Sequence, residues 1–269
     1  MKILLIGDVV GRPGREIVRQ LVPRLREESG IDLVIANCEN AAAGSGITPS
    51  TAEDLFLGGV DVLTSGNHVW RKKEANELLK LDPRVIRPAN YPDGVPGAGS
   101  TVVETPSGLK VGVLNLMGRV FMEPLDCPFR TADRELARLT LITPVIIVDM
   151  HAEATSEKVA MGWYLDGRVS AVLGTHTHVQ TADERVLPKG TAVMTDVGMT
   201  GPHDSVIGRR VDQILERFLT NIAVRSEVAE GNVQLRGALV TVDPATGRAQ
   251  AIDRVAMSSD AEIRIAPGD

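Results

Sequence analysis

Short apolar runs alternate with amphipathic stretches along most of the chain. Apolar runs that end at glycine or at polar residues predict strands at 2–6, 33–36, 60–64, 111–116, 145–150 and 169–173. Apolar residues spaced three or four positions apart predict helices at 15–28, 49–58, 71–81, 130–141, 154–164 and 213–224. Because strands and helices follow one another in turn, the pattern predicts an α/β fold.

The last part of the chain has a different pattern. From 232 to 265 apolar and polar positions alternate, which predicts strands at 233–242 and 249–255 joined by a turn at 244–247. An earlier hairpin is predicted at 186–196. Because no repeat or low-complexity linker separates these segments, we predict one domain over residues 1–269.

Two stretches are predicted to be irregular. Prolines and glycines dominate 83–106, which predicts loops with short strands. A long loop is predicted at 117–129, and its length would allow it to shape a substrate pocket.

Composition agrees with this fold class. The chain has 269 residues, of which 43% are hydrophobic and only 3% are aromatic. The apolar mass therefore comes from Val, Leu, Ile and Ala, which is typical of buried parallel strands covered by helices.

Charge and cysteine content limit the kinds of partner and the cellular compartment that the sequence predicts. The net charge is −6 and both signs are interspersed, which disfavours duplex nucleic acid as a partner. The N-terminus lacks a signal-peptide pattern and no apolar run is long enough to span a membrane. Cys38 and Cys127 lie far apart, which indicates free thiols in a reducing compartment and hence the cytoplasm.

Potential metal ligands lie directly after the predicted strands. They follow five of these strands: Asp8; Glu39 and Asn40; Asn67 and His68; His151; and His176 and His178. Ligands bind at the carboxyl edge of open α/β sheets, because loops there direct several side chains into one volume. We therefore predict one site at this edge.

Each of these residues also has a simpler interpretation when taken alone. Asp8 could cap the following helix, Asn67 could form a structural turn beside a surface His68, and a lone histidine is more often a satisfied polar residue. The pair His176 and His178 on one loop is the most specific local signal. Three histidines with carboxylates and an amide suit a metal that takes nitrogen and oxygen ligands.

This ligand set predicts a two-metal hydrolytic centre. Two ions about 3.5 to 4 Å apart can activate a bridging hydroxide for in-line attack on a phosphoryl group. Glu39 is the candidate bridging carboxylate. We assign Asp8 and His178 to one ion, and Asn67, His151 and His176 to the other. His68 is the candidate general acid that protonates the leaving oxygen.

The chain contains the motifs G-D-V-V-G at 7–11, N-C-E-N at 37–40, G-N-H at 66–68, R-P-A-N-Y-P at 87–92, G-R-V-F-M at 118–122, G-T-H-T-H at 174–178 and D-V-G-M-T-G-P at 196–202. Together they resemble the YmdB family of calcineurin-like metallophosphoesterases, and the resemblance covers essentially the whole chain. The resemblance implies a sandwich of mixed β-sheets flanked by helices, with the metal site at the carboxyl ends of the strands.

The resemblance also implies a ligand set and an activity. It implies Asn40 as a further ligand beside Asp8, Glu39 and His178, and it implies phosphodiesterase activity on cyclic nucleotides, including 2′,3′-cyclic AMP. It implies two ions, iron first, with manganese or zinc as alternatives. Val10 and Glu39 stand where the broad superfamily has His and Asp, and both departures are typical of the YmdB branch. The loss of the imidazole makes the first ion's ligands richer in oxygen, which favours iron or manganese.

Other functions fit the same residues. A nucleotide-binding signalling protein with incidental turnover would need the same ligands, and a nuclease or phosphomonoesterase would differ in how open the cleft is. His203 lies in a Gly-Pro loop near the expected site and has no assigned ligand role. Homo-oligomers are expected on general grounds.

Overall fold

The structure is a computed structural model that describes residues 1–259 and 265–267. In chain order the strands of this part are β1 (Lys2–Ile6), β2 (Asp8–Val9), β3 (Leu33–Asn37), β4 (Val62–Thr64), β5 (Ser100–Glu104), β6 (Lys110–Met117), β7 (Ile146–His151), β8 (Ala171–Thr175), β9 (Arg185–Val186), β10 (Ala192–Met194), β11 (Met199–Pro202), β12 (Val233–Val242), β13 (Ala249–Ser258) and β14 (Ile265–Pro267). The α-helices are α1 (Gly11–Ser29), α2 (Pro49–Leu57), α3 (Ala75–Leu81), α4 (Pro128–Leu139), α5 (Thr155–Leu165) and α6 (Val211–Thr220).

These strands form two mixed sheets. The first has the order β14-β13-β12-β1-β3-β4, with β1, β3 and β4 parallel and β12 antiparallel to β1, while β11 pairs with both β12 and β2. The second has the order β5-β6-β7-β8-β10-β9, in which β6, β7, β8 and β10 are parallel and the two edge strands are antiparallel. Both predicted hairpins are confirmed.

The core explains why the central strands are apolar on both faces. Alternate residues of β1, such as Ile3 and Leu5, belong to a cluster that also contains Val113 and Ile147 of the second sheet. Leu4 and Ile6 of β1 instead pack with residues of α1 and α2. Residues of α4 and α5 cover the other face of the second sheet. The layers are therefore helices, sheet, sheet and helices, which confirms the predicted mixed-sheet α/β sandwich. Each fully buried Leu or Ile contributes about 1.5–3 kcal/mol relative to exposure.

Two helices begin four residues away from their predicted starts, while α4, α5 and α6 begin within two residues of theirs. Helix α1 starts at Gly11, not at 15, because Pro13 lies in the first turn, where its missing N–H costs no hydrogen bond. Helix α3 starts at Ala75, not at 71, because Val69–Arg71 forms a 3₁₀ turn and Lys72 is extended, with φ −117° and ψ 130°.

Differences also occur towards the C-terminus. Helix α6 ends at Thr220, not at 224, because Asn221 adopts a left-handed conformation, with φ 56°, and caps the helix. Strand β13 extends to Ser258, three residues beyond the prediction. Part of the alternating stretch predicted to reach 265, and the end of the predicted domain, lie outside the described residues at 260–264 and 268–269.

Candidate metal centre

All eight residues that the sequence singles out lie close together at the carboxyl ends of strands from both sheets. Asp8 follows β1 as the first residue of β2, His151 is the last residue of β7, and the loops after β3, β4 and β8 supply the others: Glu39, Asn40, Asn67, His68, His176 and His178. Asp8, Glu39, Asn40 and His151 are buried. Burial of two carboxylates in one volume is costly unless positive charge compensates them.

Glu39 lies between two groups of side chains. Its Oε1 atom is 3.4 Å from the amide nitrogen of Asn40 and 3.2 Å from His68 Nδ1. Its Oε2 atom accepts a hydrogen bond from the backbone N–H of His68 and lies 3.3 Å from His151 Nε2. Because Oε1 faces the side chains of Asn40 and His68 and Oε2 faces that of His151, the carboxylate is placed where it could bridge two ions.

The hydrogen bonds of His151 determine which of its nitrogens faces the site. Thr175 Oγ1 donates to Asp149 Oδ1 at 2.7 Å, so its single hydrogen is used there. The same oxygen lies 2.9 Å from His151 Nδ1 and must accept the N–H of that nitrogen. His151 Nε2 is therefore free for another bond, and it lies 3.1 Å from Asn67 Oδ1.

In His176 and His178, too, one ring nitrogen contacts an acceptor outside the site and the other faces into it. His176 Nε2 lies 3.0 Å from a carboxylate oxygen of Glu153, which leaves Nδ1 towards His151 Nε2 at 3.0 Å. His178 Nδ1 lies 3.1 Å from the carbonyl oxygen of Ile207, which leaves Nε2 at 3.9 Å from Asp8 Oδ1. An outer acceptor that fixes one imidazole nitrogen and turns the other inward is the usual support for metal-binding histidines.

The inward-facing atoms fit a cation. Glu39, His151 and His176 each offer a ligand atom, and these atoms lie within 4.8 Å of one another. Asp8 Oδ2 accepts the backbone N–H of His176, but the buried Oδ1 atom has no hydrogen-bond partner among the described residues. A buried carboxylate oxygen without a donor is a position that a metal ion would fill, and the nitrogen and oxygen donors suit borderline metals.

Burial and neighbouring charges shift the pKa values of the clustered side chains in opposite directions. Burial alone would lower the pKa of His151, but the charges of Glu39 and Asp8 outweigh it and raise the pKa to about 9. Burial alone would raise the pKa of Glu39, yet His151 and His68 hold it well below its usual range. Because metals bind deprotonated ligands, a metal ion would displace such a proton.

Burial dominates the remaining shifts. It lowers the pKa of His176 to about 3, with help from the neighbouring charge of His151. It raises the pKa of Asp8, against the charges of His178 and His151. His176 is therefore neutral, which is the form that binds metal.

His68 and Asn40 form a separate pair at the edge of the cluster. His68 Nδ1 lies 2.9 Å from Asn40 Oδ1, and the side chain of His68 is 29% exposed. The amide nitrogen of Asn40 faces His178 Nε2 at 3.1 Å. With Nδ1–H donating to Asn40, the Nε2 atom of His68 is the nitrogen available to a bound molecule.

Sequence reasoning missed the outer residues. Asp149 is the single carboxylate of the buried strand β7, and it accepts hydrogen bonds from Thr64, Thr175 and Asn37. Glu153 lies two residues after His151 and contacts His176. The isolated charge in the run Ile146–His151 was the one available signal.

The long loop after β6 and His203, both noted in the sequence, lie near the cluster without supplying its inward-facing atoms. The loop after β6 begins beside the site, since Gly118 N–H donates to the carbonyl of His151 at 2.9 Å, and Glu157 accepts the backbone N–H groups of Arg119 and Val120. His203 is half-buried, and its Nε2 lies 3.3 Å from the carbonyl of Met199 rather than among the ligand atoms.

Comparison with known proteins identifies the family. The family model described as YmdB-like protein matches residues 4–255. The chain belongs to the YmdB-like family. It is 50% identical over 260 residues to the 2′,3′-cyclic-nucleotide 2′-phosphodiesterase of Bacillus subtilis (strain 168), which covers 97% of this chain and 98% of that protein.

Two solved structures of similar proteins share the fold. A hypothetical protein from Thermus thermophilus superposes with a TM-score of 0.90 and 45% identity, over 96% of this chain and 99% of that one. A novel phosphatase from Mycoplasma pneumoniae superposes with a TM-score of 0.89 and 35% identity, over 96% of this chain and 93% of that one. The resemblance predicted from the motifs is confirmed, and this YmdB-like chain is a phosphoesterase-type hydrolase.

The helices of this YmdB-like chain are too short or too polar to cross a membrane, as far as the described residues go.

Proposed function

We propose that this chain is a dinuclear-metal phosphodiesterase that hydrolyses cyclic nucleotides, namely 2′,3′-cyclic AMP and also 3′,5′-cyclic AMP. The proposal rests on the orientation of three imidazoles near the buried Glu39. In each ring one nitrogen contacts an acceptor outside the site, which leaves the other nitrogen facing into the site. The 50% identical relative in Bacillus subtilis supports the substrate class, because it is named for 2′,3′-cyclic nucleotides.

The ligands divide into two sets on either side of Glu39. The first ion would be held by Asp8, Glu39, Asn40 and His178, and the second by Glu39, Asn67, His151 and His176. The unpartnered Asp8 Oδ1 supports the first set, and the 3.0 Å approach of the His151 and His176 nitrogens supports the second. Ligation by Asn40 requires its amide to rotate, so that the oxygen turns from His68 towards His178.

The metal ions and the side chains have different roles in the proposed reaction. Two bound ions supply Lewis acidity and a nucleophile at neutral pH. His68 supplies the proton: Glu39 Oε1, 3.2 Å from its Nδ1, remains an acceptor when the Asn40 amide rotates, and its Nε2 delivers a proton to the oxygen that leaves phosphorus. Burial of Asp8 and Glu39 keeps bulk water from screening the site.

The donor set favours iron, with manganese next and zinc less suited. The first ion has three oxygen donors and one imidazole, and the absence of thiolates from both sets disfavours a structural zinc site. The whole chain, 1–269, acts as one domain on a small phosphodiester and not on duplex nucleic acid. Cys38 and Cys127 are free thiols, which supports a cytoplasmic setting, and a homo-oligomer is expected on general grounds.

Steady-state hydrolysis tests the proposal. The chain is reconstituted with iron, manganese or zinc and assayed on 2′,3′-cyclic AMP, 3′,5′-cyclic AMP and bis-p-nitrophenyl phosphate. Asp8→Asn removes a ligand, and Asp133→Asn is the matched control, because Asp133 is partly exposed on α4 and contacts Tyr164 and Arg168.

The outcomes are distinct. We expect metal-dependent turnover of the cyclic nucleotides in the unsubstituted chain and in Asp133→Asn, with loss in Asp8→Asn. Two bound ions per chain without turnover of any diester would overturn the hydrolytic function and favour a nucleotide-binding protein.

A further inference from the structure

The loop that carries His176 and His178 is held in a strained conformation. His176 has φ 101° and His178 has φ 67°, so both are in the region that glycine favours and other residues avoid. Each such residue costs on the order of a factor of ten in stability and persists only where its surroundings enforce it. Contacts with neighbouring residues must therefore hold the loop in this conformation.

Thr177, between the two histidines, makes the enforcing contacts. Its backbone N–H donates to Asp196 Oδ2 at 3.1 Å, and its hydroxyl donates to the same oxygen at 2.6 Å. Thr177 is adjacent in sequence to both histidines. Its position therefore fixes the backbone from which both imidazole side chains extend.

Asp196 is built as a rigid acceptor. It is fully buried, and Lys158, itself 4% exposed, donates to its Oδ2 atom at 2.7 Å. Its Oδ1 atom accepts the backbone N–H of Gly198 at 2.8 Å. The carboxylate is thus neutralised and hydrogen-bonded on both oxygens, which is the condition for a stable buried charge.

We propose that Asp196, acting through Thr177, is a positioning residue that holds His176 and His178 in the orientation that binds metal. The inference rests on the proposed function, because it concerns the same centre. A buried ion pair that served stability alone would need no bond to the residue between two ligands. Outer partners of ligands typically set metal affinity as well as ligand orientation.

Thr177→Val removes the hydroxyl donor and keeps the shape of the side chain. Thr177→Ser keeps the hydroxyl and is the conservative rescue. Thr191→Val is the matched control, because Thr191 is a buried threonine whose hydroxyl donates to the carbonyl of Val169, in contact with none of the ligands. The affinity for Mn²⁺ is measured by competition with a chromophoric chelator, and the Co²⁺ absorption spectrum reports ligand geometry.

We expect Thr177→Val to bind Mn²⁺ at least about tenfold more weakly and to shift the Co²⁺ spectrum, while Thr177→Ser and Thr191→Val match the unsubstituted chain. Unchanged affinity and spectrum in Thr177→Val would overturn the inference alone, as would an equal loss in Thr191→Val. Failure of the unsubstituted chain to bind Mn²⁺ or Co²⁺ would instead overturn the proposed metal centre, and this inference with it.

Discussion

The Nε2 atom of His151 lies 3.0 Å from the Nδ1 atom of His176, and the two rings meet edge to face. The other nitrogen of each ring contacts an acceptor outside the site, Thr175 for His151 and Glu153 for His176. Two imidazole nitrogens that face each other at this distance need a proton or a metal ion between them, because their lone pairs otherwise repel.

Glu153 supports His176 from the solvent side, and its removal tests this role. We expect Glu153→Ala to weaken Mn²⁺ binding by about tenfold, because the Nε2–H of His176 loses its acceptor. Glu153→Gln keeps an acceptor oxygen and should lose less. Glu77→Ala, an exposed glutamate on α3, is the control. Equal affinity in Glu153→Ala and Glu77→Ala would show that Glu153 does not orient His176.

Gly66 leaves just enough space for the centre. A Cβ atom at this position would overlap the imidazole of His151 and the carboxylate of Glu39. We therefore expect Gly66→Ala to lose bound metal and turnover together. In Gly112→Ala the added carbon meets its nearest atoms at 3.4 to 3.6 Å, which is ordinary contact, so metal content and turnover should stay unchanged. Metal content by mass spectrometry checks both variants, and full metal content in Gly66→Ala would contradict the geometry.

His68 should matter most where the leaving oxygen is basic. We expect His68→Gln to lower turnover of 2′,3′-cyclic AMP by about 10²–10⁴-fold with metal content unchanged, because a general acid contributes that range. Bis-p-nitrophenyl phosphate should be affected less, since p-nitrophenolate leaves without a proton. His203→Gln is the control. An equal loss on both substrates would remove His68 as the proton donor.

The ion pair of Lys158 with Asp196 should support the fold as well as the loop. Lys158→Met leaves the Asp196 carboxylate buried without its counter-charge, and we expect the free energy of unfolding to fall by about 3–5 kcal/mol. Urea denaturation of the metal-free protein measures this. Lys189→Met changes an exposed lysine and should leave the free energy within about 0.5 kcal/mol. A small change in Lys158→Met would show that water reaches the pair.

The sequence indicated the inner residues of the candidate site better than the outer ones. Strand ends such as those before Asp8, Glu39 and His176 converge for any register of a parallel sheet, so their proximity followed from the element pattern. The partners Asp149 and Asp196 depend on which strands are neighbours. The β8–β10 pairing, which brings Asp196 near Thr177, is a tertiary fact that periodicity does not encode.

The same distinction applies to the fold. Strands and most helices followed from apolar spacing, and the order of the two sheets did not, because apolar runs do not specify their neighbours. The predicted start of α3 at residue 71 was wrong, because the charged run 71–74 is compatible with a helix. In the structure Lys72 is extended and lies beside Gly46, where the chain folds back against it.

The most direct test of the two-metal account counts ions and turnover in one sample. The chain is stripped of metal with a chelator, Mn²⁺ is added in known equivalents, and hydrolysis of 2′,3′-cyclic AMP is recorded at each step. We expect hydrolysis to rise with the second equivalent and Glu39→Gln to stay inactive at the same addition. Full hydrolysis with one equivalent, or in the stripped chain, would contradict a dinuclear centre bridged by Glu39.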